Sequence, residues 1–87
     1  MLEEFVGRKV VVDCQSHFVC LGLLKSFDEH FLDLRNCDLH DLRDTESTRE
    51  LYVASSAATG IKRNRKRVIL SRREVVGLSA LEDVVDD

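Results

Sequence analysis

The run Phe18-Val19-Cys20-Leu21-Gly22-Leu23-Leu24-Lys25-Ser26-Phe27 constrains the fold more than any other segment. It reads as a strand that is long for a small protein, and Gly22 sits in its interior. A glycine there marks a sharp bend or a close approach of another backbone. A long bent strand in a chain of 87 residues suggests a small, partly open barrel. The rest of the chain supplies matching pieces. Arg8 to Asp13 carries a β-branched run and reads as the first strand. Phe31 to Asp41 is a third strand with partial alternation and a slip near Asn36, Arg67 to Ser71 a fourth, and Val75 to Leu81 a fifth. Arg72-Arg73-Glu74 joins the last two by a short turn. Proline is absent, so Asp, Asn, Ser and His must make most of the turns.

Two segments change period. Leu2, Phe5 and Val6 recur at helical spacing before Gly7, which predicts one helical turn at the start. Ser47-Thr48-Arg49-Glu50 has the form of a capping box, with Ser47 as N-cap, and predicts a helix over about 48–59 stopped by Gly60. Its alanine- and serine-rich face predicts close packing with little buried area. The expected organisation is one domain over 1–81, with an insert at about 44–66 and an acidic tail at 82–87.

Composition excludes several classes. No apolar stretch approaches the roughly 20 residues of a membrane span, and Glu3 and Glu4 stand where a secretory leader would be basic. Cys14, Cys20 and Cys37 are odd in number and lack paired spacing, which points to buried free thiols in a reducing, cytoplasmic setting. A zinc site from Cys14, His17, Cys20 and His40 can be drawn, but its spacing matches no usual ligand pattern. Neither nucleophile elbow, phosphate-binding glycine loop nor metalloprotease motif is present, and no enzyme and no cofactor is expected.

Charge is unevenly placed. The net charge is −3, yet seven of the 13 basic residues fall between Lys62 and Arg73 with no acidic residue among them. Lys62, Arg63, Arg65, Lys66 and Arg67 form a block that can attract phosphate, with Asn64 as a further hydrogen-bonding group. Arg72 and Arg73 can reach the same ligand. The competing reading is a solvated loop offset by Asp38, Asp41 and Asp44. Asp38, His40 and Asp41 also read as a hydrogen-bonded strand end or a weak metal site.

An open barrel leaves two edge strands unpaired. Pairing the fourth strand of one copy with the fifth of the next satisfies both and closes a ring, and the small core gains burial by it.

Several residues match a known pattern. Leu2, Phe5, Val6, Gly7, Arg8, Val10 and Val12 follow the opening L-x-x-φ-φ-G-(K/R)-x-V-x-V, and Gly22 to Leu34 follows an apolar strand with a G-x-L step and a Phe27-Asp28 pair. Leu70 to Leu78 looks like the second motif. The chain resembles the Sm-like (LSm) family, as a divergent bacterial-type member with a helical insert, over about 2–42 and 66–81. The resemblance implies a strongly bent five-stranded antiparallel sheet, assembly as a ring, and single-stranded RNA bound near the pore. It puts His30 at the family's base-stacking position; Phe31 is a second platform or a core aromatic. The family's pocket Asn has no counterpart here, and Ser71-Arg72 stands where the family has Arg-Gly. A ring-forming protein-interaction scaffold that no longer binds RNA specifically is the second functional expectation, with the inserted helix as its docking surface.

Overall fold

The β-branched and apolar runs form five strands. The computed structural model describes residues 1–85, so Asp86 and Asp87 of the expected acidic tail lie outside the described residues. A 3-10 turn at Leu2–Phe5 precedes β1 (Lys9–Cys14), β2 (Phe18–Phe27) and β3 (Phe31–Asp41). Helix α1 (Arg49–Thr59) is inserted before β4 (Arg65–Ser71) and β5 (Val75–Ala80). Short 3-10 turns also occur at Leu42–Asp44, Arg72–Glu74 and Leu81–Asp83. All pairings are antiparallel, in the order β4-β3-β2-β1-β5, and the sheet is not closed. The mainly β architecture with a helix between the third and fourth strands is the expected one.

Gly22 accounts for the bend. A Cβ at this position would lie 2.9 Å from the Cys37 Sγ and 3.1 Å from the Arg35 carbonyl oxygen. Only hydrogen fits, so β2 and β3 approach closely there. Opposite Gly22 the register slips: Leu21 pairs with Asp38 and Leu23 with Arg35. Asn36 and Cys37 thus stand opposite Gly22 alone, one extra residue on β3, and Asn36 takes φ 51°, a left-handed conformation that asparagine tolerates. This is the slip expected near Asn36.

Two apolar clusters cover the two faces of the sheet. The inner one gathers Val10, Val12, Cys20, Leu24, Leu32 and Leu34 under Leu2 and Phe5 of the opening turn. The outer one joins Val11, Val19 and Leu21 to Val53 of α1 and to Leu81. Val10, Val11 and Val12 are therefore buried in succession, although a strand sends neighbours to opposite faces.

Local details correct the sequence-based boundaries. The cap of α1 is Thr48, whose hydroxyl accepts from the Leu51 N–H at 3.2 Å; Ser47 lies one residue outside. Gly60 ends the helix at φ 100°, its N–H bonded to the Ser56 carbonyl. β4 begins at Arg65, so Arg65 and Lys66 join the strand expected to start at Arg67. β5 stops at Ala80, because Leu81 turns to pack beneath α1.

Candidate nucleic-acid interface

The β2–β3 turn is built by Asp28. Its Oδ1 accepts the N–H groups of His30 and Phe31, both at 2.8 Å. These bonds, first from His30 and then from Phe31, hold the Asp28 carboxyl below the usual carboxylate range. The turn leaves His30 exposed, its ring edge-on to Phe31 at 6.4 Å. Phe31 is 47% exposed and belongs to neither apolar cluster, which removes the core-aromatic alternative.

The β4–β5 connector lies beside this turn. The Arg72 N–H donates to the His30 carbonyl at 2.8 Å, and Arg72 Nη1 donates to the Asp28 carbonyl at 2.6 Å. On its other side the connector is held by Gln15, whose N–H donates to Glu74 and whose Nε2 donates to the Arg73 carbonyl. His30, Arg72 and Arg73 thus share one rim. The Arg72 guanidinium is partly committed to that rim, while the Arg73 side chain has no hydrogen-bond partner among the described residues.

The basic block divides. Arg67 donates from Nε and Nη2 to Asp33, and Arg35 does the same from the adjacent position. Asp33 is 15% exposed at its side chain. The hydrogen bonds from Arg35 and then Arg67 hold its carboxyl far below the ordinary range. Arg63 donates to the Asn36 side chain at 2.7 Å, and Arg65 to the Asn64 carbonyl at 3.1 Å. Lys62 and Lys66 are exposed and have no ion-pair partner among the described residues. On β4, Val68 and Leu70 face the inner core, so Lys66 shares their side while Arg65 and Arg67 point outward.

Of the carboxylates expected to offset this block, Asp38 and Asp41 are engaged elsewhere, and Asp44 has no ion-pair partner among the described residues. Asp38 is buried and accepts from the Tyr52 hydroxyl and from Asn64 Nδ2. Asp41 pairs with Arg43 at 2.7 Å, and that contact draws its pKa down to about 2. Asn64, read as a sugar or phosphate contact, is used internally. Its Oδ1 accepts the Leu39 N–H, and its Nδ2 also donates to the Leu39 carbonyl. His40 stacks on Tyr52 at 4.1 Å with an interplanar angle of 10°, and its buried Nε2 has no partner among the described residues. The arrangement pins α1 and the chain leading to β4 against β3.

The drawn zinc set does not come together. Cys14 and Cys20 join the inner core, His17 is in an exposed turn, and His40 lies under Tyr52. No group of three or more potential metal ligands forms among the described residues. No helix among them is long and apolar enough to cross a membrane.

Sequence reasoning missed Asp33, Arg35 and Lys9. The signal for the first two was present: Asp33 and Arg35 are two apart on a strand and so share a face. Comparison with protein-family models, with curated proteins and with solved structures gave no significant match.

Proposed function

We propose that copies of this chain form a ring of the Sm-like kind and bind short single-stranded RNA at the rim where His30 and Arg72 meet. The observation that carries the reading is the bond from the Arg72 N–H to the His30 carbonyl at 2.8 Å. It brings the stacking turn and the basic connector together, although they are far apart in sequence. An exposed imidazole offers a π-face to a splayed base, and Arg72 and Arg73 supply charge for the backbone. Lys62, Arg63, Arg65 and Lys66 extend that charge. The edges support assembly: β4 and β5 each pair on one side within the chain, and each exposes an apolar side chain, Ile69 at 49% and Val76 at 70%. Pairing one copy's β4 with the next copy's β5 gives both edges a backbone partner.

Native mass spectrometry with and without nuclease tests both parts. The expected result is a closed oligomer that carries RNA until it is digested; a monomer at high concentration overturns the ring. His30→Ala combined with charge reversal at Arg63 and Arg65 is expected to abolish RNA binding, and unaltered affinity overturns the rim site.

One observation favours a protein-interaction scaffold instead. Leu51 projects from α1 with 62% of its surface exposed, as a docking helix would require. Under that reading heparin displaces RNA completely, and Leu51→Asp abolishes partner binding without altering the oligomer.

A further inference from the structure

The strand register builds a line of cations on the outer face. Lys9 on β1 pairs with Leu23 on β2, Leu23 with Arg35 on β3, and Arg35 with Arg67 on β4. Directly opposed residues share a face. The neighbouring row, Leu24, Leu34 and Val68, points into the inner core, so this row points out. At strand spacing of about 4.8 Å it spans roughly 14 Å across four strands.

The row has walls. On one side Ile61 and Arg63, from the segment after α1, enclose with Lys9 and Leu23 a hollow of about 190 Å³. On the other side Phe31, Asp33, Arg67 and Ile69 line a hollow of about 310 Å³. Asp33 lies between the two arginines and takes Nε and Nη2 of each, which leaves both Nη1 groups without a partner among the described residues. One carboxylate thereby fixes two guanidinium forks side by side and spends one of four cations.

We infer that this outer-face row is a second track for single-stranded RNA, in which Lys9, Arg35, Arg67 and Arg63 hold the backbone and Phe31 stacks a base. Charge complementarity selects a polyanion, and the half-exposed ring of Phe31, which lines the same hollow as Arg67 at the β4 end of the row, favours a nucleic acid over an acidic protein. Asp33 is a positioning residue for the two arginines. The track rests on the RNA-binding reading above and shares Arg63 with it, but Lys9, Arg35 and Arg67 are separate from His30, Arg72 and Arg73, so variants confined to one set or the other let the two fail separately.

The test is fluorescence anisotropy with a short labelled single-stranded RNA over a salt series, on the intact oligomer. Replacing Lys9, Arg35 and Arg67 by Gln together is expected to weaken binding at least about tenfold and to flatten the logarithmic salt slope by about 2. Lys9→Gln alone, at an exposed residue with no side-chain partner among the described residues, is expected to weaken it by about threefold and keeps the test valid if the triple variant does not fold. Asp33→Asn removes a negative charge yet is expected to reduce affinity, because the forks lose their common anchor; a gain overturns the positioning role. Unaltered affinity and slope in the folded row variants, with loss confined to His30→Ala and Arg72→Ala, overturns the track and leaves the rim reading standing. Loss confined to the row variants supports the track and removes the rim. No RNA binding by the unmodified protein overturns both.

Discussion

The outer face of the sheet has two halves that share strands, pleat and alternation, yet differ in what lies on them. Over β1 and the start of β2, Val11, Val19 and Leu21 are sealed beneath Val53 and Leu81, each at most 7% exposed. Over the end of β2, the start of β3 and β4, Phe31 and Ile69 are about half exposed beside Asp33 and Arg67. The difference comes from the reach of the insert. Eleven residues of helix cover one half, and charge occupies the outward positions where that cover stops. Alternation decides which side a residue faces; a packing partner decides whether that side can be apolar.

Mutations can break this contrast. Leu21→Ala in the covered half is expected to cost about 2–5 kcal/mol, read as a lowered urea midpoint, because the cavity lies beneath a fixed helix. A small effect would mean that α1 is not seated as described. Tyr52→Phe removes one of two side-chain donors to the buried Asp38 and is expected to cost about 1–3 kcal/mol. An accompanying loss of amide protection confined to α1 would assign that cost to the covered half.

The bare half is expected to show itself through acid. Asp33 has a depressed folded pKa, so its pairing stabilises the protein fully above the unfolded value of about 3.9 and loses that contribution as pH falls below it. Asp33→Asn has no such contribution to lose. The gap in urea midpoint between the two proteins should be widest near neutrality, begin to shrink as pH drops below about 4 and close only well below that. A gap independent of pH would mean that the two arginines add nothing beyond packing. Ile69→Thr is expected to shift stability by no more than about 0.5 kcal/mol in the unassembled chain, since its side chain has little packing to lose.

Much of this was readable from the residues. Phe18–Phe27 and Phe31–Asp41 emerged with their expected bounds, because Ser16-His17 and Asp28-Glu29-His30 interrupt apolar runs decisively. Gly22 announced the close approach, and Gly60 the end of the helix. The cap moved by one residue because Ser47 and Thr48 are both competent and the sequence motif does not choose between adjacent hydroxyls. What was hidden depended on register across long separations. Arg67 meets Arg35 across an insertion that no local pattern spans, so its pairing with Asp33, and the row ending at Lys9, appear only once β3 and β4 are aligned. Asn64 looked like a ligand-facing group for the same reason; its true partners, Asp38 and Leu39, lie on a strand made much earlier.

The strand order also bears on how the chain reaches this state. Val10 pairs with Gly22 on one flank and with Ala80 on the other, so β1 acquires its second neighbour only when β5 has been made. During synthesis the first strand therefore waits with one flank open, and the closing step carries a large loop-entropy cost. Refolding in the range of about milliseconds to seconds, limited by the docking of β5, is the kinetic signature such a topology should leave.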